Sequence, residues 1–407
     1  MSMTASLLLL AFVSSCPFCN PQGQTFSSEV NSADFILYGT LTNPQRDPND
    51  FLKGTTDLAI DAIIKGHPLV DGKTQIRLPR LVPVDPKAAE TKFLIFGSIY
   101  SRASDTAAAA VGSSAVLADP RLMQIDPYRG EPFRADSKVP EYFKGAIAVR
   151  QKDPATRLNF FFKYLDDSDL VISTDAYSEF GTSDYKDVRA VSEKLNPDML
   201  LKWLKNPNTP VSRMGLYSLM LGHCGKATHA AELRSILDNP ERALSSGLDG
   251  LLAAYILLDP KAGWSYLEAI LRDAKKEFPV RYAGLKVLRF FWDYRSDVIT
   301  QKEVVNGMKL LVEHSDMADL PIEDLRKWEQ WKETDFVLKF VNKQEHNNIP
   351  IVRRSILRFA LAAPKSYTAA KAYVEQIRKE DPDRVKFVEQ TLEDEKPRSE
   401  SKQDVKQ

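Results

Sequence analysis

Two cysteines near the start of the chain, Cys16 and Cys19, have the C-x-x-C spacing that supports thiol–disulfide exchange in some proteins. In thioredoxin-like proteins such a pair lies at a helix N-terminus after a strand, and no predicted strand precedes this pair. Two thiolates are half of a structural zinc site, and Asn20 stands where covalent haem attachment requires His. We therefore predict a local disulfide between Cys16 and Cys19. An exported thiol-redox or metal-handling module acting through this pair is the alternative.

The other residue types that could do chemistry are scattered. Cys224 lies between His223 and Gly225 at the end of an apolar run, which predicts a small buried side chain instead of a nucleophile. The histidines form no H-x-x-x-H or H-x-H pair: His67, His223, His229, His314 and His346. No G-x-S-x-G, P-loop or dinucleotide fingerprint is present. We predict a non-enzyme with no catalytic, cofactor-binding or metal-binding residue; a hydrolase with dispersed residues is a further alternative.

Aromatic residues concentrate in one part of the C-terminal half: Phe290, Phe291, Trp292, Trp328 and Trp331. Large rings at helical spacing are usually core residues, and this is the prediction here. Tryptophans are also enriched at protein interfaces, so a recognition surface is the alternative.

The overall charge argues against nucleic acid and membrane surfaces as partners. The 407 residues include 55 Lys and Arg and 55 Asp and Glu, for a formal net charge of +0. Nucleic-acid binding and membrane-surface binding usually need a basic surplus or stripe, and none is visible. Hydrophobic residues at 43% and charged residues at 27% are ordinary for a folded protein, and the length suits two or three domains. We expect a protein partner.

The first residues predict export. Residues 6–13 (SLLLLAFV) form an apolar run that is much shorter than the ~20 residues of a membrane-spanning helix and is followed by small residues. We expect residues 1–15 to be an export signal and the protein to be periplasmic, in the cell envelope or extracellular. Val13-Ser14-Ser15-Cys16 resembles the bacterial lipobox, which implies lipidation of Cys16 as the one contact with a membrane. A frayed apolar tail that docks on the domain is the alternative to an export signal.

The next region has the pattern of a small β-barrel. Four runs rich in β-branched and aromatic residues predict strands at residues 34–41, 56–64, 74–78 and 92–97. Leu58, Ile60 and Ala62 alternate, which predicts one buried and one solvated face. Gly39 suggests a bulge in the first strand. A short helix is expected at residues 27–31, and residues 120–140 are expected to be a turn-rich exit.

The order of these segments resembles that of the netrin-like module, the OB-type barrel of tissue inhibitors of metalloproteinases and of small exported bacterial proteins. The resemblance covers about residues 16–100 and rests on the phrases EVNSAD, FILYGTL, IIKGHPL, TQIRLP and KFLIFG after a Cys-containing N-terminus. In that family the first Cys is joined to a distant Cys and grips the protease zinc. The only other cysteine here is Cys224, so the resemblance does not carry protease inhibition over to Cys16.

A short pattern, a small residue followed by a large apolar one, recurs through the C-terminal two thirds of the chain. The small residues are Ala176, Gly215, Gly247, Gly284 and Ser355. Their steps of 39, 32, 37 and 71 residues fit a period of about 35, with one degenerate repeat near residue 320. This pattern resembles HEAT-like helical repeats, in which a stack of helix pairs presents a binding surface. It predicts second helices of each pair at residues 211–223, 244–258, 280–292 and 352–363.

These observations predict a multidomain α+β protein in which a small N-terminal OB-like β-barrel is followed by an all-α HEAT-like solenoid. The expected domains are residues 16–144, with a low-complexity insert at 103–119, and residues 145–393. Residues 394–407 are expected to be disordered. The function expected of this arrangement is that of an exported, non-enzymatic binding or scaffolding protein that recognises a protein partner through the solenoid surface.

Overall fold

The computed structural model describes residues 16–19, 25–50, 53–83, 91–99, 123–124, 128–133, 136–239 and 247–395. In these residues a curled antiparallel sheet is followed by a long helical region, which confirms the predicted α+β class. The chain divides into two compact units, Met1–Val191 and Ser192–Gln407. The predicted export signal and low-complexity insert lie outside the described residues, as does the tail from residue 396.

The sheet belongs to the first unit. Its strands are β1 (Phe35–Arg46), β2 (Gly54–Lys65), β3 (Gln75–Leu78), β4 (Lys92–Ile99), β5 (Met123–Gln124) and β6 (Tyr128–Phe133). They are ordered β3-β2-β1-β4-β5, with β6 also paired to β4, and every pair is antiparallel. The first four strands are at the predicted positions. Two more strands, β5 and β6, lie in the segment expected to be only a turn-rich exit, and they extend the sheet beyond β4.

A glycine in β1 allows the sheet to curl. The register of the β1–β2 pair shifts between Tyr38 and Gly39, which confirms the expected bulge. A Cβ atom on Gly39 would lie 1.9 Å from the carbonyl oxygen of Ala59, so the two strands could not approach this closely with any other residue. Bulges of this kind bend a strand and increase its twist.

The alternation predicted for β2 is only partly present. Leu58 is fully buried, but Ile60 and Ala62 are half-buried, and Asp57 on the other face is itself buried. The Asp57 carboxylate accepts hydrogen bonds from Arg77 Nε and Asn43 Nδ2, both at 2.8 Å. These bonds lower the pKa of Asp57 and compensate for its burial.

Among its described residues the first unit has five helices beside the sheet. They are α1 (Phe26–Ser32), α2 (Val139–Val149), α3 (Pro154–Phe162), α4 (Leu170–Gly181) and α5 (Tyr185–Ser192). The short helix expected at residues 27–31 is present as α1. The predicted domain boundary at 144/145 falls inside α2, whereas the compact units divide at 191/192. The boundaries of independently folding domains therefore stay a prediction.

One buried carboxylate ties three of these helices together. Asp175 on α4 is 5% exposed. Its Oδ1 accepts a hydrogen bond from the backbone N–H of Phe26 on α1 at 2.6 Å. Its Oδ2 accepts a hydrogen bond from the hydroxyl of Tyr142 on α2 at 2.7 Å. Burial, followed by the charge of Asp175, strongly raises the pKa of Tyr142, so this phenol remains a donor. The Phe26 ring stacks on Phe143 with centroids 3.7 Å apart.

The second unit is helical in all its described elements. Its α-helices are α6 (Pro197–Lys205), α7 (Met214–Cys224), α8 (Ala227–Leu237), α9 (Leu248–Leu258), α10 (Pro260–Arg272), α11 (Phe278–Tyr294), α12 (Gln301–Val312), α13 (Asp319–Lys327), α14 (Thr334–Leu338), α15 (Gln344–Asn347), α16 (Pro350–Ala362), α17 (Thr368–Glu380) and α18 (Pro382–Asp394). Short 3₁₀ turns occupy Val211–Arg213, Trp331–Glu333 and Lys339–Asn342. The four predicted second helices correspond to α7, α9, α11 and α16. Proline opens α11 and α16, where its missing N–H leaves no hydrogen bond unmade.

The small residues of the recurring pattern are mostly at close helix contacts, with one correction. A Cβ atom on Gly250 would lie 2.5 Å from both Cα and O of Gly215, so α7 and α9 touch backbone to backbone. Gly247, which the pattern selected, precedes α9 with a left-handed φ of 98°, and a Cβ atom there would also lie 2.7 Å from the backbone nitrogen of Gly215. With Gly250 in its place the first three steps become 39, 35 and 34 residues, which is closer to a constant period.

Ion pairs connect helices of the second unit that lie about one period apart along the chain. Lys286 on α11 binds Asp249 on α9, and Arg289 on α11 binds Asp324 on α13 at 2.8 Å. The series continues from α13 to α16 through Glu323 and Arg358 at 2.7 Å, and from α16 to the end of α18 through Arg358 and Glu395. We call these four pairs the ion-pair ladder. Glu395 therefore has fixed partners, although the disordered tail was expected to begin one residue earlier.

Candidate binding surface

The predicted thiol site is present as a disulfide between Cys16 and Cys19. Cys16 is 3% exposed, and the backbone N–H of Cys19 donates to the carbonyl oxygen of Cys16 at 3.2 Å. Lipidation would form a thioether at the Cys16 sulfur, so lipidation and this disulfide are mutually exclusive. Lipidation and a redox role both stay predictions.

The remaining candidate chemical residues are dispersed over both units. Cys224 is a half-buried free thiol at the end of α7, and burial raises the pKa of its thiol to about 11, which keeps it protonated near neutral pH. His314 and His346 contact the carbonyl oxygens of Leu271 and Val312 through Nε2, at the ends of α10 and α12. Among the described residues no group of three or more His, Cys, Asp or Glu side chains is arranged to hold a metal ion.

The aromatic concentration separates into a core part and a surface part. Phe290 and Phe291 are buried, as predicted for core residues. Trp292, Trp328 and Trp331 are only half-buried. The indoles of Trp292 and Trp328 stack almost parallel, with centroids 4.1 Å apart and 10° between their planes. This stacked pair joins α11 to the end of α13.

Helical spacing and one rung of the ion-pair ladder position the stacked pair. Arg289 and Trp292 are three residues apart on α11, and Asp324 and Trp328 are four residues apart around the end of α13, so each pair shares a helix face. Arg289 Nε donates to Asp324 Oδ2 at 2.8 Å. This bond therefore joins α11 to α13 within one helical turn of the two stacked indoles.

The turn after α13 holds Trp328 with a strained residue. Glu329 has a left-handed φ of 56°. Its N–H donates to the carbonyl of Arg326 at 3.0 Å, and the next N–H, of Gln330, donates to the carbonyl of Leu325 at 2.9 Å. These two bonds define a Schellman motif, whose left-handed position is usually glycine. A side chain there costs about 1–2 kcal/mol, and strain of this kind often accompanies functional surfaces.

The same turn directs the chain towards the third tryptophan. The Trp331 ring packs edge-on against Phe359 of α16, with centroids 5.3 Å apart. Beside it, Lys309 Nζ binds Glu333 at 2.7 Å and lies over the Phe336 ring. We call the group of Trp292, Asp293, Trp328, Glu329 and Trp331, in which the tryptophans are half-buried and the acids exposed, the tryptophan surface.

Asp293 brings a carboxyl group to the tryptophan surface next to Trp292. Burial of part of this carboxyl raises the pKa of Asp293, the nearby charge of Asp324 raises it further, and Arg289 opposes the shift. Asp324 is the more deeply buried of the two acids, and its pKa is also raised by burial despite the Arg289 bond. Among the described residues Arg289 is hydrogen-bonded to Asp324 only, and its charge only partly offsets the shift at Asp293.

We expect the variant Glu329→Gly to be more stable than the natural chain by about 0.5–1 kcal/mol. Glycine removes the ~1–2 kcal/mol cost of the left-handed conformation, and its greater freedom in the unfolded chain returns part of that gain. Urea unfolding followed by tryptophan fluorescence measures the difference. Lys327→Gly, two residues earlier in the last helical turn, is the matched control and should lose about 1 kcal/mol. A loss of stability in Glu329→Gly would contradict the strain argument.

Scans against protein-family models, curated proteins and solved structures found no match. Within the described residues no helix combines the length and the apolar character needed to cross a membrane. The tryptophans were visible in the sequence, and the 36 residues from Trp292 to Trp328 equal about one repeat. No local sequence pattern points to Arg289, Asp324 and Glu329 as the residues that position them.

Proposed function

We propose that this chain is an exported, non-enzymatic binding or scaffolding protein that recognises a protein partner through the tryptophan surface of its C-terminal helices. The main observation behind this proposal is that Trp292 and Trp328 are stacked and only half-buried. Rigid aromatic side chains that are partly exposed to solvent are typical anchors of protein interfaces. This pair is held by a bound Arg289 and by a strained turn at Glu329, so the surface is preorganised for contact.

We further propose that the second unit is a HEAT-like solenoid. Contacts between residues one period apart support this proposal: Arg281 binds Asp316 and Arg289 binds Asp324, each across 35 residues. His346 contacts the Val312 carbonyl across 34 residues. A unit built of stacked repeats presents an extended surface, which suits recognition of a protein.

For the first unit we propose a netrin-like module. The curled antiparallel sheet, with α1 before β1 and a bulge at Gly39, is consistent with an OB-type barrel.

Export is proposed from the apolar run at residues 6–13, and a disulfide between Cys16 and Cys19 suits an oxidising compartment. Cell fractionation tests the proposed export. The mass of the mature N-terminus tests whether the signal is removed and whether Cys16 is lipidated.

The disulfide also supports the alternative function, a thiol-redox or metal-handling module. Replacing both Cys16 and Cys19 by Ser distinguishes the two functions. Partner binding should survive this change if the protein is a recognition protein, apart from the loss of any lipid anchor. Loss of a thiol-exchange activity with intact partner binding would instead assign the pair a role of its own.

Photo-crosslinking in intact cells tests the proposed recognition. A photoreactive amino acid at Gln330 of the full-length chain, beside the tryptophan surface, should form a crosslink to a specific protein that mass spectrometry identifies. The purified partner should then bind the natural chain at least ~10-fold more tightly than the double variant Trp292→Ala, Trp328→Ala, because interface tryptophans contribute about 2 kcal/mol or more. Trp264→Ala, a half-buried tryptophan on α10, is the matched control and should leave the affinity unchanged. Equal affinity of all three proteins would refute the proposal.

A further inference from the structure

We infer that the partner reaches the tryptophan surface with a cationic side chain, arginine or lysine, that lies against the Trp292–Trp328 pair and is neutralised by Asp293. This inference rests on the proposed function and adds the chemistry of the contact. Three observations support it: the carboxylate of Asp293 is in no ion pair among the described residues, no Lys or Arg of those residues lies over the two indoles, and the unit uses the same kind of contact elsewhere.

The carboxylate of Asp293 has no cationic partner in an ion pair of the described residues. Asp293 is exposed and follows Trp292 directly on α11. Arg289 Nε is bonded to Asp324 at 2.8 Å. A cation from outside would complete the pairing next to Trp292.

The two indoles supply the second half of a cation site. Tryptophan is the aromatic side chain that attracts cations most strongly, and the attraction grows when the cation is partly desolvated. Among the described residues, no Lys or Arg of this chain lies over Trp292 or Trp328. A partner's guanidinium could stack on the pair and reach Asp293 at the same time, since its planar fork carries several donors.

The second unit already uses this contact in its own structure. Arg234 lies 4.3 Å from the ring centroid of Tyr266, and Lys343 lies 4.4 Å from that of Phe340. In each case an acid binds the same cation: Asp238 binds Arg234 at 2.8 Å and Glu313 binds Lys343 at 2.5 Å. The tryptophan surface has the ring and the acid of this arrangement but lacks its cation.

Selection from a random peptide library tests the inference. Full-length protein is the target, and the variant Trp328→Ala is used to remove peptides that bind elsewhere. We expect the surviving peptides to be enriched in Arg or Lys. Enrichment of apolar, aromatic or proline-rich sequences without basic residues would overturn the inference, and so would a library that yields no enriched sequence.

Two comparisons on a synthetic peptide from this selection sharpen the result. Replacing its Arg by citrulline, which keeps the shape and removes the charge, should weaken binding about 10-fold, as measured by the change in tryptophan fluorescence. The variant Asp293→Asn should weaken binding of the Arg peptide about 3-fold and leave binding of the citrulline peptide unchanged. Glu345→Gln, which neutralises an exposed acid on α15, is the matched control and should have no effect.

The two proposals fail in different ways. A crosslinked partner whose binding depends on Trp292 and Trp328, together with peptides that are indifferent to charge, would overturn the cationic contact and leave the proposed function standing. Absence of any partner that depends on the tryptophans would overturn the proposed function, and the cationic contact would fall with it.

Discussion

Replacing Asp175 by alanine should lower the free energy of unfolding by about 3 kcal/mol. The change removes the acceptor for two buried donors, the Phe26 N–H and the Tyr142 hydroxyl, and each unsatisfied buried donor costs about 1–3 kcal/mol. The loss should be visible by urea denaturation as a lower midpoint of the transition that reports on the first unit. It should be accompanied by faster hydrogen exchange in α1, which Asp175 holds through Phe26.

Two further variants show whether the hydrogen bonds are responsible. Asp175→Asn keeps one acceptor oxygen, which can serve only one of the two donors, so it should lose about half as much as Asp175→Ala, about 1.5 kcal/mol. Tyr142→Phe added to Asp175→Ala removes the stranded hydroxyl and should cost nothing more. If Asp175→Ala and Asp175→Asn are equally unstable, the negative charge itself, and not the acceptor geometry, stabilises this site.

Gly250→Ala should destabilise the second unit by about 3 kcal/mol, the upper end of the usual cost of overpacking. The new Cβ atom would lie 2.5 Å from the backbone Cα and O atoms of Gly215. Backbone of a neighbouring helix cannot move aside as a side chain can, so α7 and α9 would have to separate along their length. Thermal unfolding followed by circular dichroism measures the loss.

Gly307→Ala is the matched control, because it also adds a methyl group to a buried helical glycine. Its Cβ atom would lie 2.7 Å from Leu288 Cδ2, the end of a flexible side chain that can rotate. The gain in helix propensity of about 1 kcal/mol offsets the remaining crowding, so the net change should be within ~1 kcal/mol of zero. Similar effects at Gly250 and Gly307 would show that the close approach of α7 and α9 is not the cause.

The sequence predicted the elements whose residues alternate or recur in a regular way. Strands β1 to β4 were identified because β-branched and aromatic residues cluster there between turn residues. Strand β6 was missed because Gly130 and Pro132 are both unfavourable in strands, and proline is tolerated there only where it need not donate to the sheet. Its pairing with β4 depends on long-range contacts that no local pattern contains.

The helical repeats were predictable in period but not in register. Gly247 and Gly250 are one helical turn apart, both fit the pattern, and both lie against the backbone of Gly215. Only the left-handed backbone angle at Gly247 and the position of Gly250 inside α9 distinguish them. The pairing of the residues that hold the two stacked tryptophans in place could not be predicted without that register. Arg289 and Asp324 could be paired only after α11 and α13 had been placed side by side.

The ion-pair ladder has a graded sensitivity to salt. The Asp249 and Asp324 side chains are 6% and 10% exposed, whereas Glu395 at the far end is 45% exposed. Dissolved ions screen exposed charges far more than buried ones. In concentrated salt the pair of Arg358 and Glu395 should therefore weaken before those of Asp249 and Asp324, while the apolar contacts of Val385 and Val388 still hold α18 in place.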